Sequence, residues 1–417
     1  MNLLKKLESR KLLFSILKKL SKSYEGLDGR IYLIGGVVRD LIISEEKISD
    51  LDILITLGYP LEYAEKLRNE GLTDHIRGER IYNTAKLIIE DQRKSFCIDI
   101  NHTRTEQYAY PGSLPEIEWV DSLFFDVSRR DFSINTIAMS LNGDSFGEVL
   151  DYLNGIEDLG KKEIRVLHKD SFIDDPIRIF RLIRYMKRLG LTIEGHTKAL
   201  LEDAVTDNLI ANVSGDRIFD ELVKCLSEDY SHLYFEAFEI YGIFKGFHFD
   251  TRALERFEKD PSFTAMKGYN SLDNILLKIM LLGSPVFFQY NMPKGYKRFL
   301  ENHLNKSGEW KKRILLTSSD SELYAAASPI QDESIAAIAF SGVPGYKAYI
   351  QVKHYFSTLK HMKTHLTGKD LLSMGVEQGK QISIILGEIL EKKIQGSIED
   401  SLEAEIEFIE MKLGRNV

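Results

Sequence analysis

Residues 35–55 read GGVVRDLIISEEKISDLDILI. Two glycines leave the apolar run IYLI at 31–34 and enter a segment with helical spacing, and a second apolar run then begins on two aspartates one residue apart. In an extended strand residues i and i+2 share a face, so Asp50 and Asp52 stand side by side while Leu51, Ile53 and Ile55 point the other way into a core. Two carboxylates on one face repel unless a cation sits between them. Oxygen ligands at this spacing suit Mg²⁺, which takes one or two carboxylates together with water and substrate phosphates. Asp99, inside FCIDIN at 96–101, is a candidate third ligand from a neighbouring strand. Taken alone, an Asp-x-Asp also fits a solvated strand entry.

Gly35 and Gly36 follow a strand and precede a helix, where bare backbone N–H groups can receive phosphate oxygens, and Arg39 one turn on can add a charge. A plain turn is the other reading of such a pair. The patterns G-x-x-x-x-G-K-[ST] and G-x-G-x-x-G are both absent, so phosphate-loop and dinucleotide-binding folds lose their main support.

Further apolar runs, KLIIE at 86–90 and FCIDIN, predict strands, and Asn142-Gly143 predicts a hairpin adding two more. From about residue 156 the spacing becomes helical, as in IRIFRLIRYMKRL. An α/β or α+β domain is therefore expected first and a helical remainder after it; the resemblance given below divides this into an α/β head with a mixed sheet over 1–155, a helical neck over 156–205, a helical body over 206–310 and a helical tail over 311–417. The N-terminal MNLLKKLESRKLLFSILKKL spaces its apolar residues like one packing face and lacks the uninterrupted apolar core of a signal peptide. No run approaches a membrane span, and Cys97 and Cys225 support neither a disulfide framework nor a metal site. The expectation is a soluble, cytoplasmic chain with no membrane partner. A formal net charge of -8 confines any nucleic-acid contact to a local patch.

GGVVRD followed by DLDILI resembles the head-domain signature of the nucleotidyltransferase superfamily, in the branch of class II (bacterial-type) tRNA CCA-adding enzymes and bacterial poly(A) polymerases. Further blocks similar to that branch follow in order: RTE at 104–106, RRDFSIN at 129–135, LDYLNGIEDL at 150–159 and DDPIRIFRLIRYMKRL at 174–189. The resemblance implies Mg²⁺ held at Asp50 and Asp52, attack of a tRNA 3′-hydroxyl on the α-phosphate of CTP or ATP, and release of pyrophosphate. It implies phosphate contact at Arg130 and ribose recognition by RRDFSIN, where Asp131 and Asn135 share a face if the block is helical.

In DDPIRIFRLIRY, Asp175 and Pro176 suit the N-cap and first position of a helix. Cytosine and adenine each present an amino donor beside an unprotonated ring nitrogen. A carboxylate paired with a guanidinium accepts those two bases and rejects uracil and guanine, and the resemblance assigns this work to Asp175 and Arg178. The family has Glu where this chain has Asp174, which is expected to brace Arg178 less well. Arg181 and Arg184 are expected to face the triphosphate.

The last 200 residues resemble the family only weakly, through LTGKDLLSMGVEQGKQISIILGEIL. Lys353 and Lys360, seven residues apart, form a basic RNA-facing stripe if their segment is helical, with Lys363, His354 and His361 alongside. A solvated stripe is the alternative, and no metal site is expected at His354, His361 and His365. The expected function is CCA addition to tRNA 3′ ends; the alternatives are CC-only or A-only addition, poly(A) synthesis, and a catalytically inactive RNA-binding protein.

Overall fold

The computed structural model describes residues 2–43, 48, 50–79, 83–91, 94–265, 272–341 and 346–414. The chain packs as two compact units, residues 1–221 and 222–417. The boundaries expected at 205/206 and 310/311 fall inside the helices Gly195–Thr206 and Lys294–Leu316.

The first unit is built on a mixed sheet of β1 (Ile31–Ile34), β2 (Asp50–Ile55), β3 (His75–Glu79), β4 (Thr84–Asp91) and β5 (Lys94–His102), joined by β8 (Ala138–Ser140) and β9 (Val149–Leu150). A separate ribbon pairs β6 (Arg104–Gln107) with β7 (Glu116–Trp119). Strand order in the sheet is β3-β4-β5-β2-β1-β8-β9, with β2 and β5 parallel and the other pairs antiparallel. The four strands expected from the sequence are all present. β3 and the β6–β7 ribbon were not expected: HIRGE shows no alternation, and every residue of EIEW stays exposed.

One sheet face carries Leu33, Leu51, Ile53, Ile55, Ile98 and Ile100 into the main core, against Leu13, Leu17 and Leu20 of the helix Lys11–Tyr24 and Tyr63, Ala64 and Leu67 of the helix Pro60–Asn69. The N-terminal segment packs on the core as its spacing predicts, but as two helices, Leu4–Glu8 and Lys11–Tyr24, rather than one. Tyr32, Ile34 and Leu54 form a smaller cluster with Leu123, Val127 and Ala138. Asp50 and Asp52 have the parity of Leu54, so the pleat puts them on the face away from the main core.

Two local expectations are corrected. The hairpin β8–β9 forms, but residues 141–148 connect it, and neither Asn142 nor Gly143 adopts the positive φ that a two-residue Asn-Gly turn requires. Asn142 instead uses its side-chain amide to pair with the backbone N–H and C=O of Ile31, at 3.1 and 3.0 Å. RRDFSIN is not an α-helix: Asp131 accepts from its neighbour Phe132 N–H at 2.9 Å, Phe132 bridges Val166, and only a 3₁₀ turn, Ser133–Asn135, follows. A short acidic side chain that bonds the adjacent backbone competes with helix formation.

The second unit is helical. Its Glu258 accepts from Ser231 and His232, and Lys393 and Glu405 form a buried ion pair at 2.6 Å.

Gly155 starts the helix Gly155–Lys161 where a Cβ would lie 2.3 Å from the Ser133 carbonyl oxygen and 2.8 Å from Ile137 Cγ1. Gly155→Ala is expected to overpack this contact by about 1–3 kcal/mol and to lower Tm by roughly 3–10 °C. Thermal unfolding followed by circular dichroism measures it, and an unchanged Tm contradicts the tight approach.

Candidate active site

β2 and β5 run parallel with Asp52 opposite Asp99. The Asp52 side chain still reaches solvent, yet desolvation by the surrounding protein pushes its carboxyl above the usual range; Arg130 opposes this, and Asp99 and Asp50 add to it. A cation would relieve that crowding, so Asp50 and Asp52 fit Mg²⁺ with phosphate and water as its other ligands. Asp99 is turned to Lys86, whose Nζ is 3.3 Å from both carboxylate oxygens. Among the described residues no group of three His, Cys, Asp or Glu side chains is arranged to hold a metal ion; Asp99, the candidate third ligand, is paired with Lys86. Asp52, Arg77, Lys86 and Asp99 line a cavity of about 480 Å³ on this part of the sheet.

Gly35 closes β1 at φ 75°, and a Cβ there would lie 3.2 Å from Arg130 Nη1 and 3.8 Å from Asp52 Oδ2. A bare backbone turn, a guanidinium and a carboxylate thus converge on one point. Gly36 opens the helix Gly36–Ile42. Arg39, expected beside a phosphate, is only 2% exposed: Nε donates to Asp40 at 2.8 Å and Nη1 to Asn135 at 2.6 Å. It ties the glycine turn to RRDFSIN, and Arg130 is the guanidinium that faces Gly35.

Asp126, which sequence reading missed, organises Arg130. It is fully buried on the helix Leu123–Ser128 and accepts from Arg130 (3.1 and 3.2 Å), Arg129 (2.8 and 3.2 Å) and Arg104 N–H (3.2 Å). Burial raises its pKa, but Arg130 and Arg129 more than reverse this. Arg129 also reaches Glu106 at 2.6 Å, which joins the RTE and RRD blocks. The i,i+3 and i,i+4 spacing from Asp126 to Arg129 and Arg130 was the available signal.

The helix Arg178–Leu189 begins two residues later than expected, and Asp175 Oδ1 accepts from Ile177 N–H at 3.3 Å. The side chains of Asp175 and Arg178 go to different partners. Both Asp175 oxygens are 2.8 Å from Arg217 Nη2, while Arg178 donates to Ser171 Oγ at 2.7 Å and the Arg129 carbonyl at 3.0 Å. Asp174 does not brace Arg178; its carboxylate is 3.8 Å from His168 Nε2. Arg217 is a second residue missed by sequence reading, because nothing in its spacing links it to Asp175.

Arg181 donates to Asp131 at 2.6 and 2.8 Å and lies 3.8 Å from Glu221, which also receives Arg184 at 3.3 Å. Asn135 donates to Asp131 at 3.0 Å, so the expected pair does meet, across the 3₁₀ turn. The Tyr185 ring collects three guanidiniums, from Arg184 (4.7 Å), Arg39 (5.2 Å) and Arg181 (5.6 Å). Its negative π-face partly offsets their mutual repulsion.

Lys353 and Lys360 form no helical stripe. The helix Tyr346–Ser357 ends before Lys360, which sits in a 3₁₀ turn and pairs with Asp332, while Lys353 donates to Ser262 Oγ at 3.0 Å. His354 and His365 each face a carboxylate, Asp320 and Asp400, at 3.0 Å.

Burial pushes the Asp131 carboxyl up, but Arg181 and Asn135 outweigh it and bring it down to about 2. A depressed folded-state pKa stabilises the fold above the unfolded value and is lost as pH falls through the folded one. Asp131→Asn is therefore expected to cost about 3 kcal/mol at pH 7, with the deficit shrinking as pH falls from about 4 toward 2. Urea unfolding at several pH values checks it; a deficit independent of pH contradicts the ion-pair origin.

Residues 31–165 match the poly A polymerase head domain, and residues 190–251 match a domain described as the probable RNA and SrmB-binding site of polymerase A. An A-adding tRNA nucleotidyltransferase of Geobacter sulfurreducens is 38% identical over 214 residues, 51% of this chain and 24% of that protein. The chain thus spans about a quarter of the length of such curated relatives. Another A-adding tRNA nucleotidyltransferase, from Halalkalibacterium halodurans, is 28% identical over 404 residues, 93% of this chain and 90% of its own. A solved CCA-adding enzyme in complex with ATP is 26% identical and covers 99% of each chain at a TM-score of 0.76. The matched head, its carboxylate-bearing strand and the shared fold agree: residues 31–165 form a poly A polymerase head domain, in a chain with the fold of solved CCA-adding enzymes.

Proposed function

We propose that this chain extends tRNA 3′ ends with C, C and A from CTP and ATP, releasing pyrophosphate. The observation that carries the reading is the convergence of the Gly35 backbone, the Arg130 guanidinium and the Asp52 carboxylate at one strand end. Arg130, oriented by Asp126, holds the nucleotide phosphates over the glycine turn, and Asp50 and Asp52 are the residues to hold Mg²⁺. When bound, Mg²⁺ lowers the pKa of the attacking hydroxyl and balances charge on the departing pyrophosphate. Fixed guanidiniums at the phosphates need no reorganisation as charge develops.

Base choice falls to Asp175 and Arg178. Arg217 holds the Asp175 carboxylate in place as an acceptor for the exocyclic amino group, and Arg178 supplies the donor to the ring nitrogen. A bidentate match of this kind discriminates by about 1–3 kcal/mol. Asp131 and Asn135 serve the ribose hydroxyls, with Arg181 and Arg184 behind them. In this reading the head, neck, body and tail divide the labour, the head doing the chemistry and the helical remainder holding tRNA.

A-only addition is the second reading, favoured by the A-adding names of the Geobacter and Halalkalibacterium relatives. Transcripts ending before CCA, after C and after CC, each incubated with single nucleotides and Mg²⁺, separate the two. CCA addition predicts CMP incorporation on the first two transcripts and AMP on the third. AMP incorporation on the third alone selects the A-only reading, and no incorporation on any transcript overturns both.

A further inference from the structure

The helix Lys294–Leu316, KGYKRFLENHLNKSGEWKKRILL, is strongly basic within an acidic chain. Seven Lys and Arg against two Glu give it a formal charge of +5, where the whole chain carries -8. Leu300, His303 and Ile314 are its buried residues. At 100° per residue these three lie together, and Lys294, Arg298 and Lys312 lie on the opposite side. Lys294 and Lys312 are 18 residues apart, five turns and about 27 Å along one line of the helix.

Lys294, Lys297, Arg298, Lys306, Lys312 and Arg313 are all exposed, and none pairs with a described carboxylate. Lys311 is the exception within the segment, turned inward to donate to the Ser341 carbonyl. The arrangement also runs against local stability. The first turn holds no acidic residue and no side-chain cap, and Lys294, Lys297 and Arg298 lie where the helix dipole disfavours cations. Folding alone does not call for three cations there.

We infer that the exposed face of Lys294–Leu316 is a binding surface for the phosphate backbone of RNA. It lies outside the residues 190–251 matched to an RNA-binding domain. A row of cations along one helix side neutralises successive phosphates without reading sequence. RNA is favoured over an anionic membrane because a membrane-surface helix inserts large apolar side chains beside its lysines. Here the exposed large apolar side chain is Leu316, at the end of the helix. The inference rests on the tRNA reading above.

The test uses the full chain and a tRNA transcript lacking CCA, with affinity measured by fluorescence anisotropy between 0.05 and about 0.3 M KCl. A Lys294→Gln, Lys297→Gln, Arg298→Gln, Lys312→Gln variant is compared with wild type and with Lys353→Gln, Lys360→Gln. The expected result is a fall of about 2 in the slope of log K against log[salt], or about 100-fold weaker binding at 0.1 M. The Lys353/Lys360 variant keeps the wild-type slope, and ATP affinity by calorimetry is unchanged in both. Circular dichroism verifies folding, and if the fourfold variant unfolds, Lys294→Gln, Lys297→Gln and Lys312→Gln, Arg313→Gln are read in the same way with about half the slope change. An unaltered slope in the folded variant overturns the surface while leaving the tRNA reading intact. Wild-type protein that binds no tRNA overturns both. Loss of binding to phosphatidylserine vesicles with tRNA binding retained overturns the surface in favour of a membrane.

Discussion

Like charges on one face of a strand set the terms for the first unit. Asp50 and Asp52 share that face because β2 must turn Leu51, Ile53 and Ile55 into the core, and the parallel pairing with β5 brings Asp99 level with Asp52. No rearrangement of side chains removes the crowding, since a one-residue slip would carry the apolar set out to solvent. The structure meets it with cations: Lys86 against Asp99, and Arg130 beside Asp52. What remains is a carboxylate pair suited to a divalent ion, next to a glycine turn faced by Arg130.

The guanidiniums need the opposite treatment. Arg39, Arg181 and Arg184 meet over one ring, Tyr185, and are matched by Asp40, Asp131 and Glu221. Arg129 and Arg130 share the buried Asp126. Charges fixed in this way are expensive to bury singly and stable as a network. The network joins the short blocks along the chain: the glycine turn, RTE, RRDFSIN and the Arg178–Leu189 helix are linked by ion pairs and hydrogen bonds between blocks.

Much of this was legible in the sequence, for a physical reason. Strand parity is a local rule, so LDILI alone separates the carboxylates from the core, and the ordered blocks identify the fold. The unread parts depend on long-range partners. Arg217 meets Asp175 across 42 residues, and Arg39 meets Asn135 across 96; neither spacing has a local signature. RRDFSIN misled because i,i+4 spacing fits a helix, whereas the Asp131 side chain accepts from the adjacent Phe132 N–H and opens the turn. Lys353 and Lys360 share no helix, because the helix Tyr346–Ser357 ends between them and Lys360 lies in the 3₁₀ turn Leu359–His361. The basic helix Lys294–Leu316 was readable from charge alone, but its significance needed the exposure of one face.

The account's central claim is that Asp50 and Asp52 hold a divalent cation together with nucleotide phosphate. Electron paramagnetic resonance of Mn²⁺ titrated into the protein with a non-reactive CTP analogue tests it without turnover. The account predicts a bound Mn²⁺ signal that requires the nucleotide in wild type and is lost in Asp50→Asn, Asp52→Asn, with tRNA affinity retained. The same bound signal in the folded double variant would contradict it.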